Sequence, residues 1–348
     1  MLSTLALVLE LPFVARGPLS GAVMARLTGS RSDPDDLAAV VQQAVSRTPD
    51  VIHDDDAQLA LFTLYASAYG TLDGLRPELE WDPVLLGARR TLEHAFERAL
   101  RDAVPTPDLP EPTTDAVARA LFDLTSPGPG PSLSRYIAKA ATHEQVSEFF
   151  VHRSIYTLRE ADPHSWAIPR LHGRAKAALV EIQADEYGGG RPDRMHAAIF
   201  ATAMRGVGLD DTYGAYVGLV PATTLASHNL MSMFGLNRRL LGAIVGHLAA
   251  FEMTSSIPNR LYGDGLRRLG HGQAVTDYFD EHVEADAVHE QIAARDMAGS
   301  LAEDRPDLLP DIMFGAAACL SADDWVAAHM LRAWADGESS LRDPHDDA

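Results

Sequence analysis

The chain has 348 residues, 46% of them hydrophobic, enough to bury a large core as one big domain or as a core with an accessory region. Its formal charge of -20 argues against a duplex nucleic-acid binder, which needs a basic face to neutralise phosphates. A single cysteine, Cys319, excludes an internal disulfide and fits a reducing, cytoplasmic setting.

In chain order, the opening MLSTLALVLELPFV is apolar but carries Glu10, lacks a basic start and is too short to cross a bilayer. It reads as a segment packed on the body, and no later run approaches a membrane span. From Asp33 to Val104 three helical stretches alternate with acidic turns, and two of them begin with Asp-Pro, an N-cap followed by a proline at the first helical position. Strand signals are scarce. Pro-rich linkers fall at 104–114 and 125–134. Residues 1–130 are therefore expected to form an N-terminal helical layer, with the body at 131–338 and a disordered tail at 339–348. His53 and His94 read as surface residues.

The body opens with THEQVSEFFVHRSIYTLREADPHSW, where Thr142 and Gln145 form a capping box and Asp162-Pro163 closes the helix. Glu160 then falls in the last turn, where the helix dipole disfavours a carboxylate. It is either a functional group or a solvated residue at a frayed end. Next, Ala175 to Glu186 reads as helix, Gly188 to Gly190 break it, and Pro192 starts another helix with His196 one turn in. Ten residues of straight helix would turn Glu186 and His196 apart, whereas a glycine break lets them meet.

From Leu240 to Met253 the chain is apolar on nearly every helical face, hence buried, yet it carries His247 and Glu252. A buried carboxylate needs an arginine, a metal or a proton held at raised pKa. The nearby Arg238, Arg239, Arg260, Arg267 and Arg268 are candidates for an ion pair, and His247 reads as a core histidine. Finally, YFDEHVEADAVHEQIA places His282, Asp286 and His289 at i, i+4 and i+7 on one helix face. Two imidazoles and a carboxylate suit Fe, Mn or Zn better than Mg or Ca. The competing reading is an exposed polar face.

Taken together, four segments bring Glu160, Glu186 with His196, Glu252, and His282 with Asp286 and His289. Four carboxylates balance two ferrous ions, a better match to a two-metal site than to one zinc. No Glu-x-x-His occurs, which disfavours a ferritin-like bundle.

This order of motifs, with LREADPHSWAIPRLHG, ADEYGGG, GHLAAFEMTSS and EHVEADAVHEQIA, resembles the heme-oxygenase-like diiron oxidases and oxygenases, the iron-containing redox enzymes of actinobacterial type, over about residues 135–334. The likeness is greatest to the diiron domain of nitrosourea-forming N-oxygenases. It implies an all-α, heme-oxygenase-like up-and-down bundle of about seven core helices. It also implies that Glu160, Glu186, His196, Glu252, His282, Asp286 and His289 ligate two Fe ions, which assemble when Fe(II) and O2 arrive. Glu160 and Glu252 are then the carboxylates expected to move during turnover.

By the same resemblance, O2 is co-substrate, an external donor (an iron-sulfur or flavin protein or a small reductant) re-reduces the irons, and a homodimer is expected. The implied reaction is N-oxygenation of a small amino-acid-derived amine or nitrogen heterocycle in specialised metabolism. Arg260, Arg267, Tyr156 and Tyr187 are candidate substrate contacts. Oxidative C–C cleavage, decarboxylation or desaturation of an amino or fatty acid stays open, as does a heme-binding protein of the same fold.

Overall fold

A computed structural model of the chain describes residues 11–29, 34–128 and 130–343; the side chains of 34–36 and 284–287 fall outside the description. Among the described residues there are helices and no strand. The N-terminal part holds α1 (Pro18–Leu27), α2 (Pro34–Arg47), α3 (Asp55–Tyr69), α4 (Pro83–Ala103) and α5 (Thr114–Leu124). The remainder holds α6 (Leu133–Lys139), α7 (His143–Thr157), α8 (Asp162–Ser165), α9 (Gly173–Glu186), α10 (His196–Gly206), α11 (Ala222–Leu236), α12 (Leu241–Met253), α13 (Ser256–Arg268), α14 (Gln273–Gln291), α15 (Ser300–Asp304) and α16 (Leu309–Asp336).

Local chemistry explains the helix starts. Asp54 accepts from the Ala57 N–H, and Asp82, ahead of Pro83, accepts from the N–H groups of Val84 and Leu85, satisfying donors that a helix start leaves open. The Thr142–Gln145 capping box is present at α7. Leu19, Phe96 and Leu121 of the first helices share one apolar cluster with Leu230, Ile244 and Ile312 of the later ones. The N-terminal layer is thus built into the same core as the body. A second cluster around Phe150, Phe200 and Phe279 packs beside the ligand helices.

Helix α12 is buried from Leu241 to Ala250 and again at Glu252. Its closest neighbour, α16, approaches backbone to backbone through glycine: a Cβ on Gly246 would sit 1.8 Å from the Ile312 carbonyl oxygen, and one on Gly315 2.0 Å from that of Ala243. Alanine at either position must force the helices apart, at a cost of about 1–3 kcal/mol or more. This contact sets the position of the helix whose last turn carries Glu252.

Three boundaries differ from the sequence expectation. Helix α7 ends at Thr157, and Glu160 lies in the turn beyond it, because Ala161 takes a left-handed φ of 74°. Asp162-Pro163 opens α8 instead of closing α7, since proline fits a first helical turn where its missing N–H costs nothing. Similarly, Pro192–Arg194 forms only a 3-10 turn, and α10 begins at His196. At the C-terminus, Ser339, Ser340 and Trp334 all donate to Glu148, while the Arg342 N–H bonds the Leu219 carbonyl. The chain is therefore held to Asp343, past the expected start of a disordered tail; 344–348 and the first ten residues lie outside the described set. No single helix among the described residues is long and apolar enough to cross a membrane.

Candidate metal centre

The residues that the sequence singled out enter the interior from separate elements. Glu160 comes from the turn after α7, Glu186 ends α9, His196 starts α10, Glu252 sits in the last turn of α12, and His282 and His289 project from α14. Their exposures are 6%, 7%, 2%, 5%, 4% and 2% in that order. The Gly188–Gly190 break makes one of these meetings possible. With φ of 68°, 59° and 83°, values that favour glycine, the chain reverses and brings His196 Nδ1 to 3.0 Å from Glu186 Oε2.

The donor atoms fall into two groups. Ligand-type atoms of Glu160, Glu186, His196 and His282 all lie within 4.8 Å of one another, and so do those of Glu186, Glu252 and His289. Glu186 belongs to both. One carboxylate has two oxygens, so it can serve two ions side by side. Asp286, the remaining candidate, belongs to α14, and its side chain lies outside the description. The nitrogen and oxygen donor set fits Fe, Mn or Zn. Three buried carboxylates so close together are mutually costly, and imidazoles of His196, His282 and His289 and the hydroxyl of Tyr278 stand against them. That clustering of buried carboxylate and imidazole donors is the observation by which the residues fit a metal pair.

Neighbouring groups orient the ligands. A carbonyl can only accept, so His282 Nδ1–H donates to Tyr278 O at 2.7 Å, which leaves Nε2 facing Glu160 Oε1 at 3.5 Å. The Tyr278 hydroxyl lies 2.8 and 2.9 Å from the two Glu160 oxygens and donates to that carboxylate. Burial would raise the Glu160 pKa, but the His282 hydrogen bond and charge, with His196 and Tyr278, outweigh it and hold the carboxyl below its usual range.

His289 has the opposite arrangement. Its Nε2 donates to Asp185 Oδ2 at 3.0 Å, and Nδ1 faces Glu252 Oε2 at 3.4 Å. Burial pulls its pKa down, yet Glu252 and then Asp185 overcome this and raise it to about 9.

A cavity beside the cluster is lined by Tyr156, His164, Gln183, Phe251 and Ser255 together with Glu160, Glu186, Glu252 and His282. It spans about 270 Å³ including its open mouth.

Other candidates lie elsewhere. Arg260 is exposed, and Arg267, 47% exposed, pairs with Asp280 and Asp264; neither arginine lines the cavity. The hydroxyl of Tyr187 donates to Asp162 Oδ1 at 2.8 Å, which ties it behind the wall. Of the suggested substrate contacts, Tyr156 alone reaches the cavity. His247 is a core histidine, hydrogen-bonded to His164 at 3.1 Å, and His53 pairs with Asp50 at the surface.

Four neighbours of the cluster were not foreseen. Tyr278 stands four residues before His282, and Gln183 three before Glu186, so helical spacing could have found both. Asp185, next to Glu186, and His164, in a non-helical turn of the sequence reading, had no such signal.

Helices enclosing buried glutamate and histidine clusters define a helical protein with a metal-type centre. The chain belongs to the iron-containing redox enzyme family, whose model matches residues 147–324, from α7 into α16. Its all-α architecture is the heme-oxygenase-like fold, and it is an oxidoreductase of that family. It is also 28% identical over 194 residues to a nitrosourea synthase of Streptomyces achromogenes subsp. streptozoticus, a match covering 54% of this chain and 41% of that protein. The chain thus matches less than half the length of this relative.

Proposed function

We propose that the protein is an O2-dependent oxygenase with two iron ions, acting on the nitrogen of a small amine. The observation that carries this reading is Glu186, shared between the two donor groups. Glu160, His196 and His282 would hold one ion, Glu252 and His289 the other, with Glu186 reaching both. When bound, two ferrous ions supply electrons to O2. The similarity to a nitrosourea synthase supports nitrogen as the oxidised atom.

The protein's own groups have separable tasks. Tyr278 ties Glu160 by a hydrogen bond, which restrains that carboxylate. Glu252 has no such tie among its described contacts other than His289, so it is the carboxylate freer to change its mode of binding. Leu248, Phe251 and Tyr156 keep bulk water from the cavity. An external reductant completes each turnover.

The test is anaerobic loading with Fe(II), then O2 and a panel of amines, with mass spectrometry of the products. The reading expects O2 uptake coupled to gain of oxygen on nitrogen. Coupling instead to cleavage of a carboxylic acid, with every amine inert, would replace it by the C–C cleavage alternative.

A further inference from the structure

Two buried polar atoms at the cavity have no task in this scheme. Gln183, 2% exposed, uses its amide nitrogen within the protein, donating to the Ala161 carbonyl at 2.8 Å and to Ser165 Oγ at 2.7 Å. The carbonyl can only accept, so the amide cannot be turned round, and Oε1 is left as a pure acceptor with no hydrogen-bond partner among the described residues. Ser165 is held in turn by Tyr187, and Tyr187 by Asp162, which locks the amide in place.

His164, 1% exposed, is the second case. Its Nε2 meets His247 Nδ1 at 3.1 Å, and its Nδ1 has no hydrogen-bond partner among the described residues. Burial drives its pKa down to about 3 and that of His247 well below the usual value, so one proton lies between two neutral rings. If His164 donates that proton, its Nδ1 is an acceptor. If His247 donates, the Nδ1 of His164 carries a hydrogen. Buried polar atoms are rarely left unpaired without cause.

Gln183 and His164 both line the cavity next to Glu160 and Glu186, and no arginine or lysine is among its lining residues. A group with N–H hydrogens would satisfy Gln183 Oε1, which can only accept, and His164 Nδ1 in its accepting tautomer. We infer that Gln183 Oε1 and His164 Nδ1 form a polar subsite that receives the N–H-bearing end of the substrate. This rests on the amine reading above, to which it adds the residues that present the nitrogen.

The test uses the full chain loaded with zinc, a diamagnetic substitute, and labelled with 15N-histidine. The probes are formamide and formate, alike in shape but differing in N–H donors. Formamide should shift the His164 ring nitrogen, and Gln183→Leu should weaken its binding about tenfold, the size of one lost hydrogen bond. Formate should leave the His164 signal in place even where it binds the metal. A formamide affinity unchanged in Gln183→Leu, no formamide binding, or an equal shift with formate would each overturn the subsite. Because the shift is read in the unmutated chain, misfolding of the variant does not decide the matter. Zinc counted on the same samples separates failure of the subsite from failure of the metal centre.

Discussion

On the Glu160 side of the centre two of the ligands are backed by buried protein. His282 is fixed through a backbone carbonyl of its own helix, and Glu160 through the hydroxyl of Tyr278, itself only 1% exposed. On the Glu252 side, His289 leans on Asp185, whose side chain is 61% exposed, and Glu252 has His289 as its described partner. The first half is preorganised by groups shielded from water; in the second, the contact that orients His289 from behind is one that solvent screens. The difference assigns them different tasks: a fixed half that retains its ion and a looser half able to rearrange.

The largest expected effect follows from Glu186, common to both halves. Glu186→Ala should abolish tight binding of both ions, whereas Glu252→Ala should remove one and spare the other; metal analysis after desalting, with circular dichroism to show folding, reads this directly. Loss of both ions in Glu252→Ala would erase the distinction between the halves.

Acidity sharpens the comparison next. His289 must lose its proton to bind a metal, so below about pH 9 the affinity of the looser half should fall about tenfold per unit. In the iron-free chain the sign reverses. The His289–Glu252 pair stabilises the fold fully below the unfolded value of about 6.5 and loses its contribution as pH rises through about 9. Metal titrations and melting curves from pH 6.5 to 9.5 should therefore move in opposite directions.

Smaller effects come from the supporting groups. Tyr278→Phe should weaken the ion at Glu160 by about 10- to 100-fold and leave the other unchanged. Asp185→Asn should weaken only the ion at His289, by about tenfold at most, because an exposed partner is screened. If the tyrosine variant loses the second ion first, the two halves have been assigned the wrong way round.

Much of this was legible in the sequence, and the gaps have physical reasons. Asp54, Asp82 and Thr142 announce helix starts through short-range hydrogen bonds, and a glutamate in the apolar run of α12 stands out because burial makes it costly. The end of α7 was misplaced because Ala161 adopts a conformation that alanine seldom takes alone. Asp-Pro was read as a stop when tertiary packing made it a start. Arg260 and Arg267 were proposed by charge, yet charge does not tell which side of a helix faces the core. Tyr278 shows the reverse case, an aromatic that reads as core until its hydroxyl is seen on a ligand.

Anaerobic titration with Fe(II), followed by desalting and iron analysis on protein shown to be folded, addresses the central claim most directly. Two irons per chain is the predicted result, with Glu186 required for both. One iron, or none, would contradict the paired centre.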